Sequence, residues 1–466
     1  MRVNDLLKLE IQDLALGGKA LARQEGRVVF ADRGLPGDVI EARVTRVKPS
    51  YAEARMQRVE SPSPNRVEAR CAHGAVCGGC RMQELPYAAQ CEIKHRQVRD
   101  ALERIGGLRD FTLRPIRPAP SVFRYRNKME FSFYPAPDGT PVLGMHERGT
   151  FDRVFAIQDC WITSELSVAV VRLTQAFAAA HRWQAYHPSR HTGAVRFLVV
   201  RHLPHTGQCA VHLVAASGDV PGLAEWARQV AAASPEVRSV TLGLNRSRAN
   251  IAIAEEERVL HGDGLVLERL LGLEFEAPST AFLQTNSAQA EALYSAAVDA
   301  AGLTAGETVL DLYCGTGTLT LLMARNAREA VGVESVEDAV VRARENATRN
   351  GIERVRFVAG ESRAVMREWA RGERAGAPRP EVVVVDPPRA GLHARVVFRV
   401  AELQPRRSVY VSCNPATLAR DAADFARHGY ALVEAEPFDM FPHTPHIECV
   451  ARFERASGGR GGVANA

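Results

Sequence analysis

Lysine is nearly missing from this chain. Lys8, Lys19, Lys48, Lys94 and Lys128 are the only five among 59 basic residues, so arginine carries almost all of the positive charge. A bias that runs through the whole sequence is no sign of nucleic acid. The net charge of +5 is mild, so only local clustering of charge is informative. Long apolar runs are missing too. Nothing approaches the roughly 20 residues of a membrane-spanning helix, and Met1-Arg2-Val3-Asn4-Asp5 does not open a secretory signal. A cytoplasmic protein with no membrane partner is expected, and no segment marks an obligate protein partner. Cysteine is sparse, at nine residues. In a reducing compartment these are expected as metal ligands or catalytic thiols before disulfides. Hydrophobic residues at 46% and charged residues at 24% are those of an ordinary globular protein, and 466 residues predict two or three domains.

Residues 1–60 alternate apolar and polar side chains between Gly/Pro turns, as in Leu7-Lys8-Leu9-Glu10-Ile11 and Val39-Ile40-Glu41-Ala42-Arg43-Val44. This is the pattern of short strands in a small β-barrel. Ser61-Pro62-Ser63-Pro64 reads as a linker. A central region, 61–274, opens with a cysteine cluster and an amphipathic helix over Tyr87–Ile105 that stops at Gly106-Gly107. It continues strand-rich through Met129–Tyr134, Val195–His202, Ala210–Ala215 and Val240–Leu244, a mixed α+β pattern. Between Cys91 and Lys128 ten basic residues stand against four acidic ones, a local field suited to phosphate.

From Phe275 onward strands and helices alternate. Strands are predicted at Val309–Tyr313, Ala330–Glu334, Val355–Ala359, Val382–Asp386 and Val409–Ser412, with helices such as Val336–Arg349 and Ala416–His428 between them. Two more strands follow near Ala431–Glu436 and Glu448–Phe453. The alternation predicts a doubly wound, Rossmann-like α/β domain over 275–456. The glycine-rich tail 457–466 is expected to be disordered.

In such a sheet, ligands bind where residues leave the carboxyl ends of the strands. Asp311-Leu312-Tyr313-Cys314-Gly315-Thr316-Gly317-Thr318 is one such exit, with glycines that let a cofactor approach the backbone. Glu334 ends the second strand, placed to grip ribose hydroxyls. With an aspartate before the glycines and an acid after the second strand, the pattern resembles a class I S-adenosylmethionine-dependent methyltransferase more than a dinucleotide dehydrogenase, which would normally carry a third glycine. Asp386-Pro387-Pro388-Arg389 ends the fourth strand. Its prolines rigidify the exit; taken alone, Asp386 could equally cap a helix. Methyltransferases acting on exocyclic amines carry an aromatic ring after the prolines, and Arg389 in its place argues against that class. Cys413, in Ser412-Cys413-Asn414-Pro415, ends the fifth strand. A lone cysteine there reads as a small apolar core residue; with a lowered pKa it is a nucleophile.

Together these segments closely resemble the RNA uracil-5-methyltransferase family. Ser412-Cys413-Asn414-Pro415-Ala416-Thr417-Leu418-Ala419-Arg420-Asp421 matches its nucleophile motif, and Asp439-Met440-Phe441-Pro442-His443-Thr444-Pro445-His446-Ile447-Glu448 its closing motif. Phe282-Leu283-Gln284-Thr285-Asn286 resembles its cofactor-contacting segment, and Tyr125-Arg126-Asn127-Lys128 matches a further motif. The resemblance implies a Rossmann-like methyltransferase domain behind a TRAM-like barrel and a mixed central domain. It implies Cys413 as the nucleophile adding to uracil carbon 6, Glu448 as the base that removes the carbon-5 proton, and Asp386 as the residue orienting the ring. It places Gln284, Tyr313, Thr318, Glu334 and Asp386 at cofactor-contacting positions, with Glu361 toward the adenine edge. Outside its motif, Glu448 would read as a solvated carboxylate near a hairpin.

Cys71-x5-Cys77-Gly78-Gly79-Cys80 puts three thiols within ten residues. Three ligands do not close a tetrahedral site, and spacing alone leaves zinc and iron–sulfur both open. The resemblance supplies Cys160 as the fourth ligand and implies a 4Fe–4S cluster, held by four thiolates. A barrel combined with a cluster looks like the branch acting on 23S ribosomal RNA. Transfer RNA, an RNA cytosine-5-methyltransferase, and a non-enzymatic iron–sulfur RNA-binding assembly factor are the alternatives.

Overall fold

The computed structural model describes residues 1–456; the tail expected to be disordered, 457–466, lies outside the described residues. The alternating pattern of the first 61 residues folds as six strands, Leu6–Glu10, Asp13–Leu14, Ala20–Gln24, Arg27–Ala31, Val39–Val47 and Tyr51–Ser61. They form one sheet in the order first, fifth, sixth, fourth, third, second. The period of two sends Leu9, Ile11, Ala20, Val29, Ile40 and Ala52 into a common core.

The Ser-Pro segment that follows is not a free linker. Ser63 is buried, its amide donating to Asp38 Oδ1 at 2.9 Å, and Arg66 grips both oxygens of Asp38 at 2.8 and 2.7 Å. Gly37 is required here: its φ is +89°, and a Cβ would lie 2.6 Å from Ser63 Oγ. Burial opposes ionisation of Asp38, but Arg66 and the Ser63 and Leu35 amides hold its carboxyl below the usual carboxylate value.

The central sheet has seven strands, ordered Val154–Ala156, Pro141–His146, Lys128–Pro135, Val195–Leu203, Gln208–Ala215, Val237–Leu244 and Glu256–His261. Helices Glu165–Ala180 and Leu223–Ala232 join its core, where Trp183 and Trp226 pack with Phe131, Leu198, Val211 and Leu242.

The last sheet has eight strands. In spatial order they are Val355–Ala359, Glu329–Glu334, Thr308–Leu312, Val382–Val385, Arg407–Ser412, Glu448–Arg455, Tyr430–Phe438 and Thr112–Leu113. The first five run parallel; Glu448–Arg455 is antiparallel to both neighbours. The four-valine run Val382–Val385 is wholly buried, as a strand covered on both faces should be.

Two expectations change here. The edge strand Thr112–Leu113 and the helix Tyr87–Asp100, whose last turn widens over Ala101–Ile105, belong with this sheet and not with the central one. Val98, Ala101 and Leu102 share a core with Leu418, Ala419 and Ala435, so the boundary expected at 274–275 divides a unit that folding joins. The basic field is also largely spent. Seven of its ten cations meet carboxylates: Lys94 with Asp439, Arg96 with Asp13, Arg104 with Asp100, Arg114 with Glu434, Arg117 with Glu436, Arg124 with Asp159 and Lys128 with Glu130. Most of these partners lie on other elements, so the charges fasten seams of the fold; a charge count along the chain cannot see that.

Candidate active site

Strand order reverses between Thr308–Leu312 and Val382–Val385, which makes the crevice above their carboxyl ends the expected binding place. Asp311 faces inward beneath it. The residue is 1% exposed, Oδ2 accepts a 2.5 Å bond from Thr320 Oγ1, and Oδ1 has no protein partner. Burial pushes its carboxyl up to about 7. Tyr313 turns the chain at φ +68°, and Gly317 follows at φ +87°, where a Cβ would strike Phe357 at 2.9 Å and Ala343 at 3.0 Å. Glu334 reaches across from the next strand and ties this turn down: Oε2 accepts from the Gly315 amide at 3.0 Å, Oε1 from Ser335 and Val336 at 2.7 and 2.9 Å. Thr318 starts the short helix Thr318–Ala324 and is buried. Glu361 is exposed ahead of helix Ser362–Arg371; burial first, and its charge second, keep the Tyr313 phenol protonated.

Gln284 enters from the segment before helix Ser287–Ala301, which Asn286 caps through a 3.3 Å bond from the Gln289 amide. Asn127 secures this segment: its Nδ2 donates to Gln284 O at 3.0 Å and Ser287 Oγ at 2.8 Å, and its amide to Thr285 O at 2.7 Å. The Tyr125-Arg126-Asn127-Lys128 motif is thus a strap between domains.

Cys413 and Glu448 are brought together by register. Ser412 pairs with Cys449 in the antiparallel ladder, so the next positions outward, Cys413 and Glu448, face each other across the strand ends. Cys413 is half-buried and Glu448 3% exposed. Burial is the main cause that pushes the thiol up to about 11, with Glu448 and Asp386 adding and Arg389 opposing. Burial and then Asp386 hold the Glu448 carboxyl well above its ordinary value, and burial puts Asp386 at about 7. Asp386 discourages ionisation of the other two, so Cys413 and Glu448 keep their protons at neutral pH, where Asp386 itself is near its midpoint. The thiol is not pre-ionised, contrary to the simplest expectation for a nucleophile.

The four expected metal-binding cysteines, Cys71, Cys77, Cys80 and Cys160, line one cavity of about 300 Å³ between the N-terminal sheet and the central domain. Burial, with the neighbouring thiols adding, pushes Cys80 to about 12 and Cys160 to about 11. Arg148 donates to the carbonyls of Gly74, Cys77 and Cys80 at 3.2, 3.1 and 2.9 Å, shaping the loop. Among the described residues, no three metal-binding side chains already converge as ligands. The donor set suits a soft metal centre.

Lys94 and Gln90 lie outside every motif read in the sequence, and His443 is read there as part of the closing motif alone. Gln90 and Lys94 lie on the buried stripe of their helix with Ile93 and Val98. A lysine on an apolar stripe, in a chain with so few, was the available signal.

Residues 221–456 match the family model described as tRNA (Uracil-5-)-methyltransferase, and residues 3–56 match the TRAM domain. An uncharacterized RNA methyltransferase of Chlorobaculum tepidum is 38% identical, covering 98% of this chain and 97% of that protein. Another, from Halalkalibacterium halodurans, is 35% identical over 97% of each. Among solved structures, the tRNA (uracil-54, C5)-methyltransferase of Pyrococcus abyssi in complex with S-adenosyl-L-homocysteine superposes with a TM-score of 0.75 at 28% identity, covering 96% of this chain and 99% of that one.

Proposed function

This chain belongs to the tRNA (uracil-5-)-methyltransferase family, and on that footing we propose that it methylates carbon 5 of a uridine in RNA from S-adenosylmethionine through Cys413 and Glu448. The observation that carries the reading is the ladder register that sets a half-buried thiol opposite a buried carboxyl at the mouth of the crevice.

Carbon 5 of uracil is too weak a nucleophile to take a methyl group unaided. Cys413 adds to carbon 6: the thiol proton passes to solvent, the Sγ–C6 bond forms as the C5–C6 π bond opens, and that electron pair becomes available at carbon 5. Once carbon 5 carries the methyl group, Glu448 takes the proton there, the C5–C6 double bond returns and Cys413 departs as thiolate. Glu448 must be ionised for this, and Arg389 is the cation that favours it. Asp386, at the end of the strand that flanks the Cys413 strand on the side away from Glu448, orients the ring.

The crevice suits S-adenosylmethionine: Asp311 has an unpartnered oxygen, a Cβ at Gly315 would meet nothing within 4 Å so the turn is open there, and Glu334 Oε2 has one lone pair still open. Bound there, it supplies the methyl group on a sulfonium whose positive charge favours ionised carboxylates nearby. Gln284, Tyr313, Thr318 and Glu361 would complete its surroundings. Cys71, Cys77, Cys80 and Cys160 would hold a 4Fe–4S cluster in a structural role, since four thiolates leave no open coordination position.

The combination of TRAM domain and four-cysteine set supports 23S ribosomal RNA as substrate. The Pyrococcus abyssi structure supports a second reading, transfer RNA, because its likeness extends over nearly the whole chain, N-terminal part included. Either uridine must be flipped or single-stranded, at a cost of a few kcal/mol. The test is anaerobically purified protein with labelled S-adenosylmethionine and separate unmodified ribosomal and transfer RNAs, followed by nucleoside analysis. 5-Methyluridine in the ribosomal RNA supports the first reading, and in transfer RNA alone the second. Another methylated nucleoside, or no product, overturns both.

A further inference from the structure

The loop carrying the closing motif joins the last two strands of the methyltransferase sheet, and Phe438, its first anchor, is the direct ladder partner of Glu448. The next residue, Asp439, is wholly buried and pairs with Lys94 Nζ at 2.6 Å, Lys94 being wholly buried too. Lys94 Nζ also donates to Phe441 O at 3.2 Å. One turn earlier on the same helix, Gln90 Oε1 accepts from the His443 amide at 2.9 Å, and its Nε2 lies 3.2 Å from His443 Nδ1. His443 sits at φ +68°, a conformation a non-glycine residue holds only when its surroundings impose it. The surroundings do: the amides of Arg81 and Met82 both donate to His443 O, at 2.9 and 3.0 Å, and Phe123 stacks on its ring at 4.6 Å.

A buried ion pair contributes little net stability over an apolar pair, and in some proteins what it supplies is a fixed geometry. We propose that Lys94 and Gln90 are positioning residues for Glu448, the helix Tyr87–Asp100 holding the closing loop in the one shape that sets this carboxyl opposite Cys413. The inference rests on the assignment of Glu448 as the base. Neither residue touches the reacting atoms; each acts through Asp439 or His443. The step that should suffer is therefore proton removal from carbon 5, the second half of the reaction, and not thiol addition or RNA binding.

The experiment uses the full chain with two near-isosteric variants, Lys94→Met and Gln90→Met, each first shown to be folded by its melting curve and circular dichroism. Single-turnover reactions with a uridine-containing RNA substrate follow the SDS-stable protein–RNA adduct and the released 5-methyluridine separately. The expected result is adduct formation within about threefold of the wild type, adduct resolution slowed at least tenfold, and KM for RNA unchanged within twofold. Deuterium at uracil carbon 5 should then give a larger isotope effect on kcat. A folded variant with wild-type resolution, or one whose adduct formation falls in step with turnover, overturns the proposal. Lys94→Met leaves Asp439 buried and unpaired and can fail to fold; Gln90→Met removes only neutral hydrogen bonds and then carries the test by itself. Glu448→Gln is the reference. If that variant resolves its adduct normally, the assignment of the base has failed; if it stalls and the helix variants do not, only the present inference has. In the Glu448→Gln background, Lys94→Met should add no further slowing.

Discussion

Replacing Glu448 by Gln separates the two halves of the proposed reaction. In the free site the Glu448 carboxyl is held protonated by burial and by Asp386, so the neutral amide reproduces its resting state in size and charge. The Cys413 thiol, at about 11, is ionised to about one part in a thousand at pH 8, and removing a neutral neighbour leaves that fraction nearly as it was. Adduct formation should stay within about threefold of the wild type. Proton removal from carbon 5 loses its base, for which general-base catalysis typically accounts for about 10²–10⁴-fold in rate, or about 3–5 kcal/mol of barrier. The methylated adduct should therefore accumulate toward one equivalent of enzyme. The assay is quantification of SDS-stable adduct alongside released 5-methyluridine. Turnover within fivefold of the wild type would refute the assignment, as would absence of adduct under conditions where the wild type forms it.

Cys413→Ala should abolish methylation while RNA binding, read by filter retention, stays within about twofold; methylation that persists removes the covalent mechanism. The rate of methylation should climb with pH above about 7, because Asp386, Glu448 and Cys413 all have raised pKa values and the reaction needs Glu448 and Cys413 deprotonated. A profile that falls with pH over the range 7–9 contradicts this. Cys80→Ser and Cys160→Ser should each lower iron content severalfold and bleach the visible absorption of anaerobically purified protein; unchanged iron would exclude the four-thiol site. Asp38→Ala leaves the buried Ser63 and Leu35 amides without their acceptor and Arg66 with Glu84 as its remaining partner, and should cost about 1–3 kcal/mol, read as a lower melting temperature. Because the folded-state pKa of Asp38 is depressed, its contribution is present above 3.8 and is lost as pH falls through the folded value. The melting-temperature gap between wild type and Asp38→Ala should therefore narrow in acid.

Local physics controls the parts of this protein that can be read along the chain. Period-two alternation marked the N-terminal strands, valine runs marked the buried parallel strands, and glycine and proline marked the exits at Asp311–Thr318 and Asp386–Arg389. The expected roles of Cys413, Glu448 and Asp386 came instead from the family resemblance of their motifs. Pairings between distant segments emerge on folding. The antiparallel last strand sets Glu448 against Cys413 by register with Ser412 and Cys449. Folding also brings Cys160 to the cavity of Cys71, Cys77 and Cys80. It turns most of a basic stretch into buried or seam ion pairs, and sends Lys94 to Asp439 across most of the chain. Periodicity records which face of an element is buried, not what buries it; that partner is set by packing, and here packing placed the helix Tyr87–Asp100 against the loop that ends in Glu448.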